Sequence, residues 1–298
     1  MMTPTAPGFS RKGRPPRQTG AFTLIEMLVV ILIIGILAAM LLPVLSKAKQ
    51  QTQGIKCMNN GHEMVYAWTM YAPDNGDKCV NNFGVTETAA EVAAGTYGTW
   101  CCNDMDWTAA SLATPGSEST ILLTKGLLAP YMAKSVAPYQ CPADPTMRSR
   151  SYSMNACFGA FTNGDTGEPQ QADNYGQVQR FMRLSKVPSP ANFFVFLDEQ
   201  PDSINDGYFE VSDGITCENG VYGGQWGDVP AAYHIRACGF AFADGHSEIH
   251  QWQDAAIYGI PVVIPPANTN PNSVKPVVEN YNYPGIDYQW ACSHFSIP

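Results

Sequence analysis

The sequence predicts an α+β chain in which a long N-terminal helix lays its outer half on an antiparallel β-sheet. Three observations predict it. Residues 22–45, FTLIEMLVVILIIGILAAMLLPVL, form an apolar run with one charge, Glu26. Beyond that run, Ile55, Met58, Val65, Trp68 and Tyr71 recur at helical spacings, as far as Pro73. Nearer the other end, residues 238–243 and 246–252 flank Asp244-Gly245, a strong hairpin-turn signal.

The apolar run is long enough to cross a bilayer, since about 20 such residues span the hydrocarbon core. It exceeds the core of a cleaved secretory signal, which is about 7 to 15 residues. An ordinary signal anchor leaves Glu26 without a role, because an acid inside a span costs roughly 2.5 to 3.5 kcal/mol at its centre and less near its end. Arg11, Lys12, Arg14 and Arg17 precede the run and no cation interrupts it, so the leader belongs in the cytoplasm and the body outside.

The first 21 residues contain no acid, which leaves 13 basic against 26 acidic residues in the rest. A body that acidic lacks the clustered cations that phosphates demand, so nucleic-acid binding is excluded. With 45% hydrophobic and 14% charged residues among 298, the chain is not a disordered one. Nine cysteines fit a compartment in which disulfides persist, and their odd number leaves at least one thiol over. No pair has the spacing of a zinc module, and the vicinal Cys101-Cys102 cannot bridge without strain.

Residues 22–71 as one helix would extend roughly 75 Å, with Gly54 and Gly61 as soft spots. The rest, residues 73–298, reads as one globular head of short apolar runs broken by Gly, Pro, Asn and Asp. Within it residues 119–134 are predicted helical, and FFVFL at 193–197 is predicted as a buried strand. A two-residue turn at Asp244-Gly245 sets Ala241 opposite Glu248 and Gly239 opposite His250. Phe240, Phe242 and Ile249 then share the core face, and His246, Glu248, His250 and Trp252 share the other. His246 and His250 lie about 13 Å apart along such a strand, too far to close on one ion with Glu248 without outside help, so this is read as a solvated face or one for head-to-head packing.

Asp198, Glu199, Asp202, Asn205 and Asp206 crowd oxygen donors into a short segment after the 193–197 strand, a density suited to calcium, with a solvated turn as the alternative. Enzyme signatures are lacking. There is no Gly-x-Ser-x-Gly and no glycine-rich phosphate loop, and His234 with Asp244 makes a dyad only if a nucleophile converges on them.

Gly20-Ala21-Phe22-Thr23-Leu24-Ile25-Glu26 resembles the type IV prepilin processing site, at which a dedicated peptidase cuts ahead of Phe and methylates the new amino terminus. The resemblance implies a leader of 1–21, an assembly helix at 22–45 continued by a soluble half at 46–72, and a head at 73–298. Counted from Phe22, Glu26 is the fifth residue and Pro43 the twenty-second, where such chains commonly carry a kinking proline. The family usually has Gly directly before the cut, whereas here Ala21 holds that position.

The head resembles the H-X9-DG group of prepilin-type proteins of planctomycete and verrucomicrobial type. His234 is followed by nine residues and then Asp244-Gly245, and CMNNGHEMVYAWTMYAPDN, CPADPTMRSRSYSMN and DEQPDSINDGYF accompany it. Because Cys57 and Cys141 both fall in family-like blocks, the resemblance implies a disulfide between them. Some related secretion pseudopilins hold calcium in a loop, which bears on the acidic segment. The implied role is a non-enzymatic, pilin-like or pseudopilin-like subunit of a type II secretion or type IV pilus-like system. Its implied partners are a prepilin peptidase, other pilin-like subunits and the inner membrane. The alternative is a membrane-anchored surface module that binds glycans through Trp100, Trp107, Trp226, Trp252 and Trp290.

Overall fold

A computed structural model describes residues 23–298 apart from 104, 106–119, 147, 166–178, 202, 212–215, 219, 225, 260–284 and 298. Helix α1 is Leu24–Asp74 and continues through Pro43. It ends where Gly76 and then Asp77 take positive φ, one turn later than Pro73 alone would suggest. The chain divides into two compact units, residues 1–46 and 47–298.

In the first unit every described residue of α1 is exposed. This part is apolar all round, with a mean hydropathy of 3.2 over its best window, which makes the helix long and apolar enough to cross a membrane.

The second unit is built on a five-stranded sheet. Strands β1 (Tyr152–Asn155), β2 (Phe194–Asp198), β3 (Tyr208–Phe209), β6 (Ala237–Phe242) and β7 (Ser247–Gln251) lie in the order β3-β1-β2-β6-β7. The sheet is mixed and not wholly antiparallel: β1–β2, β2–β6 and β6–β7 are antiparallel, while β3 joins β1 in parallel at one edge. Strands β4 (Thr216–Glu218) and β5 (Val221–Gly223) form a separate hairpin. Among the described residues the helices after α1 are α2 (Val85–Ala94), α3 (Thr120–Leu123), α4 (Ala255–Tyr258) and α5 (Ile286–Phe295).

Every residue of β1, β2 and β6 is buried, because both faces of the sheet are covered. On one face Cys57, Met64, Val65 and Trp68 of α1 pack with Tyr152, Met154, Phe196 and Ala241. On the other, Tyr288, Ala291, Cys292 and Phe295 of α5 pack with Phe194, Leu197, Phe240 and Phe242. A bulge between Phe194 and Phe196 turns both Val195 and Phe196 toward the α1 side.

The face of α1 that meets the sheet mixes small residues with large apolar ones. Gly54, Cys57, Gly61, Met64, Val65, Trp68 and Ala72 are buried, whereas Ile55 is 55% exposed. A Cβ at Gly61 would meet Cβ of Ala241 at 3.2 Å, and one at Gly54 would meet Cδ1 of Ile249 at 3.0 Å. The two glycines read as soft spots are therefore the points at which the helix backbone comes closest to β6 and β7.

Two further expectations change. Residues 119–134 are not one helix: α3 is four residues long and a separate 3-10 turn covers Ala129–Met132. Between them Gly126 sits where a Cβ would lie 2.3 Å from the Trp100 carbonyl oxygen, and Pro130 cannot continue an α-helix.

The β6–β7 hairpin is one residue out of the expected register. Ala241 pairs with Ser247, Phe240 with Glu248 and Cys238 with His250. The loop holds three residues, Ala243, Asp244 and Gly245, with Gly245 at φ 98° and its N–H on the Phe242 carbonyl. A one-residue slip moves a strand's side chains to the opposite face. Phe240 and Phe242 consequently face α5 together with His250 and Trp252, while Ile249 turns to α1.

Since the helix–sheet contact rests on Gly61 and not on Ile55, Gly61→Leu is expected to lower the head's stability to urea by about 2 kcal/mol or more. Ile55→Ser is expected to stay within about 0.5 kcal/mol of the parent. Equal effects at the two positions would contradict this packing.

Candidate functional site

At the start of α1, Thr23 and Glu26 form a reciprocal cap. The Thr23 N–H and hydroxyl donate to Oε2 of Glu26 at 2.8 and 2.7 Å, and the Glu26 N–H donates to Oγ1 of Thr23 at 3.3 Å. This Thr-x-x-Glu spacing is a capping box, which satisfies donors that the first turn leaves open. It is legible in the sequence, yet the reading above assigned Glu26 only to assembly. Gly20, Ala21 and Phe22 lie outside the described residues.

In the head, four residues flagged separately come together. Sγ of Cys57 and Cys141, a carboxylate oxygen of Asp198 and a ring nitrogen of His234 all lie within 4.8 Å of one another, and all four residues are buried. Cys57 projects from α1, Cys141 opens the loop before β1, Asp198 ends β2 and His234 precedes β6. The polar contacts are Cys57 Sγ to Asp198 Oδ2 at 2.5 Å, Cys141 Sγ to His234 Nε2 at 3.2 Å and His234 Nε2 to Asp198 Oδ2 at 3.4 Å. The expected Cys57–Cys141 disulfide is not formed: both are free thiols, and each sulfur is taken up by another side chain, a carboxylate for Cys57 and an imidazole for Cys141.

Close packing makes this meeting possible. A Cβ at Gly239 would stand 3.1 Å from Cys57 Sγ, and one at Gly54 would stand 3.6 Å from the His234 ring. After His234 the backbone is forced through two left-handed residues, Ile235 at φ 57° and Arg236 at φ 62°. For a β-branched residue that conformation is costly. Burial, then the neighbouring Cys141 and Asp198, push the Cys57 thiol well above its ordinary range. Burial works against a charged His234 ring, but the Asp198 and Cys141 side chains outweigh it and bring the ring up to about 10.

His234 thus faces Cys141 and Asp198 and not Asp244. The latter caps the hairpin turn, accepting the His246 N–H at 3.0 Å and lying 2.6 Å from His246 Nδ1. Of the proposed His-x-Glu-x-His face, His246 stacks on Phe242 at 4.3 Å between centroids and His250 on Trp290 at 3.7 Å, which is a packing face.

Among the described residues the acidic segment does not converge as one calcium set. Asp198 belongs to the thiol cluster, Asp202 lies outside the described residues, and Asn205 is exposed with Oδ1 on the Asp206 N–H. Glu199, on the opposite side of the strand end, is pushed up to about 8 by burial, with Arg150 and Asp206 nearby. Asp206 accepts the Tyr208 N–H at 2.9 Å and borders a cavity of about 360 Å³ with Glu210 and Asp228. The segment's positive neighbours are protein groups: the buried guanidinium of Arg148 donates to the carbonyls of Pro201 and Ile204, and that of Arg150 to the carbonyl of Asp206. Trp100, Trp226 and Trp252 are buried, which removes them from any glycan-binding surface, and Trp107 lies outside the described residues.

The family model described as the prokaryotic N-terminal methylation motif matches residues 16–42. No curated protein and no solved structure matches the chain.

Burial holds the Asp206 carboxyl up at about 6 against the Tyr208 N–H and Arg150, which favour its charge. The folded chain therefore keeps a proton that the unfolded chain gives up, and the stability from this group declines as pH rises from about 4 through about 6. Asp206→Asn, compared with the parent by urea unfolding, is expected to gain stability on going from about pH 4 to about pH 7, by roughly 2 kcal/mol. Parallel pH profiles would contradict it. Taken with the apolar helix that begins α1, the methylation motif supports a pilin-like or pseudopilin-like subunit with a single-pass anchor.

Proposed function

We propose that the chain is a structural assembly subunit, pilin-like or pseudopilin-like, of a type II secretion or type IV pilus-like system. One observation carries the reading: a methylation motif at 16–42 takes in the start of a helix whose first half is apolar all round and exposed. Such a surface is stable in a bilayer or in a bundle of like helices. A prepilin peptidase removes the leader with its four cations and methylates Phe22, while the head stays on the far side of the inner membrane.

Assembly then brings apolar helices side by side, where an unpaired carboxylate is expensive. Both hydrogen bonds from Thr23 fall on Oε2 of Glu26, which leaves Oε1 for the terminal amine of a neighbouring subunit. Glu26 in this role sets the stagger between subunits and carries out no reaction. Pro43 removes one backbone donor partway along the packed segment.

Glu26→Gln separates the two roles of this residue, since Gln also serves in a capping box but has no charge. Membrane insertion and leader cleavage are expected to persist in that variant, while subunit cross-linking and recovery of assemblies fall well below the parent. Glu26→Ala is expected to lose both the cap and assembly. Normal assembly of Glu26→Gln would overturn the reading.

A further inference from the structure

We propose that Cys57, Cys141, Asp198 and His234 are the four ligands of a structural zinc ion that fastens the soluble half of α1 to the sheet. The donor set is two thiolates, one imidazole and one carboxylate, which selects zinc over calcium or magnesium because sulfur and imidazole are soft and borderline ligands. All four come from the protein and all four residues are buried, the mark of a closed structural site and not of one that keeps a position open for substrate.

Two of the ligand–ligand distances already match those of a tetrahedral zinc site. With zinc–sulfur bonds of about 2.3 Å and zinc–nitrogen and zinc–oxygen bonds of about 2.0 Å, the ligand–ligand edges are about 3.5 Å for sulfur–nitrogen and about 3.3 Å for nitrogen–oxygen. Cys141 Sγ to His234 Nε2 is 3.2 Å, and His234 Nε2 to Asp198 Oδ2 is 3.4 Å. The Cys57–Asp198 contact of 2.5 Å is the one that opens, by about 1 Å.

Charge points the same way. Asp198 is fully buried, its ion-pair partner among the described residues is His234, and its Oδ1 has no hydrogen-bond partner. On binding, Zn²⁺ displaces one proton from each thiol and the ligating nitrogen of His234 is unprotonated, so the ion, two thiolates and one carboxylate sum to a single negative charge around a neutral imidazole. The Tyr152 hydroxyl, 2.7 Å from both the Cys57 sulfur and the Cys57 carbonyl oxygen, is placed to donate to the thiolate. Cys238, a buried thiol nearby, instead donates to the Asp198 carbonyl at 3.1 Å and is not a ligand.

The test is metal analysis of the full chain purified in detergent without chelator, together with a count of free thiols and the intact mass. About one zinc per chain is expected, and its removal by a strong chelator is expected to lower Tm by roughly 10 °C or more, restored by added zinc. Cys57→Ser with Cys141→Ser, and separately His234→Ala, should abolish stoichiometric zinc, while Cys238→Ser keeps it. Cobalt loaded into the unsubstituted chain decides the matter even if those variants fail to fold. Tetrahedral thiolate coordination gives a near-ultraviolet sulfur-to-cobalt charge-transfer band with intense visible bands. A chain that takes up neither ion with its thiols reduced, one whose Cys57 and Cys141 are found as a disulfide, or one that keeps zinc without both cysteines would overturn the proposal.

Discussion

The close approach of α1 to the sheet is the constraint on which the rest of the head depends. It is achieved by omission of side chains: Gly54 and Gly61 let the helix backbone reach His234, Ile249 and Ala241 at contacts that a methyl group would already tighten. Glycine inside a helix costs about 1 kcal/mol relative to alanine. That cost is offset by burying Met64, Val65 and Trp68 against β1, β2 and β6. Only because helix and sheet are this near can a helical cysteine share a pocket with residues from a strand end and two loops.

The second consequence concerns the opposite face. A sheet whose central strands are buried throughout needs a cover on both sides, and α5 supplies the second one through Phe295, Ala291 and Trp290. The C-terminal segment is therefore part of the core. The two halves of α1 meet different physical demands: residues 24–49 are exposed and largely apolar, whereas the later half buries one face against the sheet and leaves a mixed, more polar face exposed. One helix serves both a bilayer or helix bundle and a globular core because the pattern changes along its length.

Much of this architecture was legible in the sequence. The apolar run, Glu26, the β2 strand and the Asp244-Gly245 hairpin all announce themselves through length, charge and turn chemistry. The misreadings share a cause, which is that tertiary proximity has no local signature. Of the stripe read through Ile55, Met58, Val65, Trp68 and Tyr71, Val65 and Trp68 lie in the contact, but Ile55 is exposed and the closest approaches are made by glycines, whose lack of a side chain leaves nothing for periodicity to detect. The hairpin register depended on whether the loop holds two residues or three, and Asp-Gly serves both. Helix α5 buries Tyr288, Ala291, Cys292 and Phe295 at helical spacings of three, four and seven, a period that was present in the sequence and was passed over. Cys57, Cys141, Asp198 and His234 were each singled out, but in three different sets, since ligands from four separate segments have no fixed spacing. The capping box at Thr23 and Glu26 was visible and was passed over for a longer-range role.

The central claim is that the chain is made as a prepilin-like precursor and matured before it functions. Mass spectrometry of the N-terminus of the protein isolated from native membranes tests it most directly. The account predicts a chain that begins at Phe22 and carries one methyl group on its amine. A native chain that still contains Arg11, Lys12, Arg14 and Arg17 would contradict it and leave α1 as a simple membrane anchor.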